Sequence, residues 1–156
     1  MKKTLKTNKV LSVYRILSQA KYTKLDDADK IKVWKVARIL SPIAEKFDAD
    51  MKDAAEKMKP YEKFDEALQK AQEYEQKVKE ANVDVSTLPM TAKEYTKFIA
   101  ELRSYNELVG NASKEFGEVD VDLDIEPVSE DAFGKLLASN DWSMGQVVEV
   151  GDLIVE

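Results

Sequence analysis

The sequence predicts an α+β fold, mainly α: a long antiparallel helical hairpin or bundle, a small two-stranded antiparallel patch and short C-terminal helices. Three observations predict it. Val33, Ala37, Leu40, Ala44, Phe47, Met51, Ala54 and Met58 step by four and three, the rhythm of one seam along a helix. Residues Glu118 to Glu126 alternate strictly, with Val119, Val121, Leu123 and Ile125 on one side and acids on the other, which is the period of a strand. Finally, the two ends carry opposite charge. Met1 to Lys24 holds seven Lys or Arg and no acid, whereas Gly117 to Glu156 holds eleven acids against Lys135 alone, a net of −10.

Taken in order, Lys2 to Thr7 is polar and extended in character. Thr7 or Asn8 can cap a helix whose apolar positions Val10, Val13, Tyr14, Leu17 and Ala20 carry it to about Lys21. Asp26, Asp27 and Asp29 then suit the start of a second helix, where exposed amides and the helix dipole favour acids. Ile31, Trp34, Ile39 and Ile43 add a second apolar face to the first half of the seam, so that half is expected in a core. Pro42 removes one backbone hydrogen bond and should kink this helix without ending it. Pro60 can open the next helix, with Tyr61, Phe64, Leu68, Ala71 and Val78 keeping the spacing to Ala81.

Asn82 to Met90 reads as a loop, and Thr91 with Glu94 as a capping box before Tyr95, Phe98, Leu102, Tyr105, Val109, Ala112 and Phe116. Gly110-Asn111 could end that helix early. The acidic strand cannot satisfy its backbone alone, and the basic start is the other extended candidate. Pairing the two sets Lys2, Thr4 and Lys6 across from the aspartates. Pro127 stops the strand, Ser129 can cap a short helix through Leu137, and Ser143 with Gln146 offers a second box. The valines of 143–155 suit a strand equally well. One domain, 1–156, is expected, with a hairpin arm of about 44–105 on a body formed by 1–43 and 106–156.

Composition narrows the function. With no cysteine and no histidine, disulfides, thiolate chemistry, the usual zinc ligands and every Ser-His or Cys-His nucleophile are excluded. No stretch approaches the ~20 apolar residues that span a bilayer, and the lysines at the start lack the apolar run of a secretory signal. A cytoplasmic protein that meets no membrane is the expectation.

Asp120, Asp122 and Asp124 resemble the first ligands of a calcium loop, but Ile125 stands where the loop needs glycine and Asp131 where it needs a distal glutamate. A solvated strand face paired with lysine is the simpler reading, so no metal and no cofactor are expected. Glu62, Asp65, Glu66, Glu73 and Glu80 could be imagined as a carboxylate-dependent metal enzyme. They are interleaved with Lys63, Lys70, Lys77 and Lys79, and intrahelical ion pairs explain that pattern.

Arg15, Lys21, Lys24, Lys30, Lys32, Lys35 and Arg38 near Tyr14, Tyr22 and Trp34 could form a nucleic-acid surface. The aromatics fall at buried helical spacings and the chain has a net charge of −6, so nucleic acid is disfavoured. The helical seams point to docking by other helices. Phe47, Met51, Met58, Tyr61 and Phe64 are the candidate contacts, with a protein partner of unspecified identity expected and a homo-oligomer compatible with the pattern.

The order of features adds one likeness. A Lys-rich start, Asn8-Lys9-x-Leu11 with Tyr14 and Leu17, a long charged helix, the strand Glu118-Val119-Asp120-Val121-Asp122 and two short capped helices resemble a family of small tailed-phage and prophage proteins of undefined role. The resemblance covers Met1 to about Met58 and Glu118 to Glu156. It implies a phage origin, a role in particle assembly or in handling the host, and a place in the bacterial cytoplasm or with the virion. It carries over no catalytic residue. The function expected is therefore a non-enzymatic phage-type interaction or assembly protein acting through helical and charged surfaces. The alternative is a host-directed inhibitor whose acidic face mimics DNA.

Overall fold

A computed structural model describes all residues, Met1–Glu156. The chain runs through strand β1 (Lys2–Lys6), helices α1 (Thr7–Gln19), α2 (Asp27–Lys57) and α3 (Phe64–Val78), a 3₁₀ turn at Val85–Thr87 and helix α4 (Ala92–Gly117). Strand β2 (Asp120–Asp124) and helices α5 (Glu130–Ala138) and α6 (Met144–Ile154) complete it. Mainly-α α+β is the observed class. Packing divides the chain into two compact units, Met1–Asp50 with Lys114–Glu156 and Met51–Ser113, so that α2 and α4 each contribute to both.

In the first unit the two oppositely charged ends form one antiparallel ladder, with Lys2 across from Asp124, Thr4 from Asp122 and Lys6 from Asp120. Charge is only part of the reason. The alternation turns Leu5, Val121 and Leu123 inward, onto a core of Val10, Val13, Leu17, Val33, Val36, Leu40, Ile125, Leu136, Leu153 and Ile154. Thr7 does not cap α1. Lys6 stands at that position without a side-chain bond, and the Thr7 amide and hydroxyl both donate to the Val119 carbonyl (2.9 and 2.8 Å), clamping the ladder where helix replaces strand.

The C-terminal helices start as their serines dictate. Ser129 Oγ accepts from the Ala132 amide, and Ser143 and Gln146 form a reciprocal box. The segment 143–155 resolves as helix through Ile154, with Val155 adding a single parallel bridge to Val128. The Lys3 ammonium donates to the carbonyls of Asp152, Leu153 and Val155, acceptors that the end of α6 leaves without helical donors.

In the second unit α3 begins at Phe64 and not at Pro60. Residues 60–63 form a turn closed by the Phe64 amide on the Tyr61 carbonyl (3.2 Å), and Lys59 sits between Glu56 and Asp65, across the turn. The helix ends at Val78, short of Ala81, and Asn82 follows with a left-handed φ of 59°. Gly110-Asn111 do not stop α4, which runs on to Gly117. Phe64, Ala71 and Phe98 are the buried centre, bordered by Leu68, Tyr95, Leu102 and Tyr105. The Tyr105 hydroxyl donates to the Ala55 carbonyl (3.1 Å), tying α4 to the end of α2.

Candidate functional site

Helix α2 has two apolar stripes, and only one of them finds a core. Val33, Val36, Leu40 and Ala44 are buried, whereas Ile31, Trp34 and Ile39, expected in the core, are 52, 55 and 37% exposed. One helix face is enough for one layer of packing, and the other is covered only in part. Ile43 alone of that second face packs against the core.

Trp34 stands at a cleft of about 590 Å³ between α1 and α2. Tyr14, Leu17 and Ser18 form the α1 wall, Lys30, Trp34, Ala37, Arg38 and Ser41 the α2 wall, and Tyr22 lies in the segment joining the helices. The walls are fixed by hydrogen bonds. The Tyr14 hydroxyl donates to Ser41 Oγ (3.3 Å), whose own proton goes to Glu45 (3.3 Å), and the Tyr22 hydroxyl donates to the Leu17 carbonyl (2.9 Å). Burial raises the Tyr22 phenol above its ordinary value, so it stays neutral and keeps donating at any physiological pH.

Two cations flank the tryptophan. The Arg38 guanidinium lies 5.3 Å from the Trp34 ring centroid and forms no ion pair, and Lys30 reaches only Asp27 at a loose 3.7 Å, a carboxylate left almost fully in water. Ser18, Ser41, Tyr14 and Tyr22 supply the remaining polar groups, and no carboxylate lines the cleft. Such a surface can bind an apolar group with anionic neighbours.

The other candidates lie elsewhere. Asp120 pairs with Lys6 (2.8 Å), Asp122 accepts from the Thr4 hydroxyl (2.6 Å), and Asp124 faces the Met1 amino group (3.3 Å), so three carboxylates are each engaged with a different group along the ladder. The hydrogen bond from Lys6 to Asp120 raises the lysine above its ordinary value. No group of three or more Asp or Glu is placed to hold a metal ion. Asp65 is taken across the turn by Lys59 (2.8 Å), and Glu73 within α3 by Lys77 (3.2 Å).

The proposed interaction residues are divided. Phe47 is half-buried and, with Ile43, Phe116, Val119 and Val121, lines a second, smaller cleft in the first unit. Met51 and Met58 are half-buried in the second unit, Tyr61 is 40% exposed, and Phe64 at 1% is the centre of that unit's core. The sequence places Trp34 at a core spacing, and the structure leaves it half exposed. The signal that was available is that Ile31, Trp34 and Arg38, at steps of three and four, put a cation on the same stripe as the tryptophan.

No helix is long and apolar enough to cross a membrane. No family model, no curated protein and no solved structure matches the chain.

Proposed function

We propose that this chain is a non-enzymatic interaction protein that takes a protein partner into the cleft between α1 and α2, in the phage-type assembly setting its sequence resembles, within the bacterial cytoplasm or on the virion. The observation that carries the reading is Trp34, a large aromatic residue left half in water, on a helix whose core stripe is already complete, with an unpaired arginine over its ring. Tryptophan and arginine side by side in an apolar recess are the side chains that most often dominate binding energy. Covering the open half of the indole is worth about 2–3 kcal/mol at the usual area coefficient, enough for an anchor and too little to hold a partner alone.

The acidic-mimicry alternative has less support. A surface that imitates phosphates needs carboxylates facing solvent without counter-ions, and at the two ends of β2 Asp120 is met by Lys6 and Asp124 by the Met1 amino group.

The test is affinity enrichment from the natural host with wild-type bait and Trp34→Ala bait in parallel, followed by binding of the purified partner to both. Trp34→Ala should fold with unchanged melting behaviour and lose the partner by tenfold or more in affinity. Equal binding by both forms would remove the cleft as the docking surface. A partner that is a DNA-handling enzyme, bound in a salt-sensitive way through β2 and independently of Trp34, would move the case to mimicry.

A further inference from the structure

Resting on the reading of the cleft as a docking surface, we infer that its occupant is an amphipathic helix carrying two carboxylates about two turns apart, with an apolar side chain between them that covers Trp34. The spacing follows from α2. Lys30 and Arg38 are eight residues apart on one helix, which places them roughly 12 Å apart along its axis, with Trp34 midway. A helix laid along the cleft repeats that distance with its own residues seven or eight apart and presents the intervening turn to the indole.

The walls decide between a helix and an extended segment. Both are helices, and their backbone N–H and C=O groups are spent on their own turns, so the cleft offers no row of donors and acceptors to an extended chain. A helix brings its backbone bonds already made and needs only side-chain contact, the usual basis of helix-in-groove recognition. The charge decides the partner's sign: Lys30 and Arg38 line the cleft, and no acid does.

A single nucleic-acid strand fits less well. It needs a run of cations spaced along its phosphates, and Lys30 and Arg38 are the only two that line the cleft. Lys35 is drawn to Glu126 at 3.6 Å, and Asp27 and Glu45 stand close to the two ends of the cleft, where a phosphate track would have to leave.

The experiment uses the full chain and needs no knowledge of the natural partner. The probe is a stapled helix of about 15 residues with two glutamates two turns apart and a leucine midway. The controls are the same helix with lysines in place of the glutamates, and oligothymidylate. The readout is the indole N–H resonance of Trp34, assigned by its loss in Trp34→Phe and distinct from that of Trp142.

The glutamate helix is expected to shift the Trp34 resonance saturably and leave that of Trp142 in place, with the lysine helix at least tenfold weaker. Lys30→Glu and Arg38→Glu should each weaken the glutamate helix by about tenfold or more, since each sets like charges face to face. A Trp34 shift caused by oligothymidylate and not by the helix would overturn the inference in favour of nucleic acid. A shift that grows with protein concentration alone would overturn it in favour of a second copy. If no probe moves Trp34, the helical occupant is wrong. The docking reading would then stand or fall separately, on whether enrichment of the natural partner depends on Trp34.

Discussion

The two compact units solve the same problem with different means. In the first, fifteen buried residues form one aliphatic cluster drawn from both ends of the sequence, closed by a strand ladder and two side-chain-capped helices. In the second, the buried centre is Phe64, Ala71 and Phe98, and much of the contact is ring on ring: Phe64 lies 5.4 Å from Phe98, 5.0 Å from Tyr105 and 5.6 Å from Tyr61. A broad aliphatic core shares its burial among many side chains, whereas a small aromatic one concentrates it in a few. The difference teaches where each unit should fail.

The largest effect is expected at Phe64. Phe64→Ala removes the ring that three others pack on and should cost about 3–5 kcal/mol, the range for a buried aromatic truncation. With so few buried neighbours to close the gap, the loss should stay local. Amide exchange should accelerate across Met51–Ser113 while β1 and β2 keep their protection, and loss of protection in the ladder to the same degree would merge the two units into one cooperative block. Leu136→Ala, at a fully buried position of α5, should cost about 3 kcal/mol and do the opposite, lowering the melting temperature of the ladder and of α6 together, since all belong to one cluster.

How far the sequence reveals this contrast depends on whether a signal is local or conditional. The ladder was legible because alternation, opposite charge and the need to pair backbone groups agree on a single partner for β2. The starts of α5 and α6 were legible because a serine followed by a free amide is a complete local instruction. Thr7 was misread, since its capping chemistry is identical to the chemistry by which it holds Val119; only the position of the strand tells them apart. Pro60 was misread for a related reason, a proline being as suited to a turn as to a first helical position.

Trp34 was hidden more deeply. Its spacing is helical and apolar, as is that of Val33 and Leu40, and which stripe is buried depends on what the rest of the fold places against it. The candidate site is in this sense a leftover of packing, invisible until the core has been assigned. The same holds for Phe64, whose exposure could not be separated from that of Tyr61 by periodicity alone.

Smaller changes sharpen the comparison at the helix starts. Ser143 and Gln146 satisfy two amides reciprocally, at 2.9 and 3.3 Å, while at the start of α4 the Thr91 hydroxyl takes one amide, that of Glu94, at 3.1 Å. Ser143→Ala should therefore cost about 1 kcal/mol or somewhat more, and Thr91→Ala about half as much. Both are read as shifts in denaturant midpoint at constant slope. Equal losses would mean that the glutamine's return bond adds nothing.

The smallest effect concerns two tyrosines held neutral for different reasons. Tyr22, in the first unit, is raised by burial. Tyr95, in the second, is raised first by its hydrogen bond to the Glu75 carboxylate, with burial secondary, and its ring stacks on Tyr74 at 4.5 Å. A phenol raised in the folded state stabilises that state fully below its unfolded value of about 10, and the contribution is lost as the pH climbs through the raised folded value. Spectroscopic titration at alkaline pH should then find Tyr22 and Tyr95 among the last phenols to ionise. Glu75→Gln removes the carboxylate that makes deprotonation of Tyr95 costly, and should bring Tyr95 back toward its ordinary value without moving Tyr22. If both move, the shift of Tyr95 reflects the looseness or tightness of the whole fold, and the distinction between a unit held by burial and one held by specific contacts loses its sharpest local example.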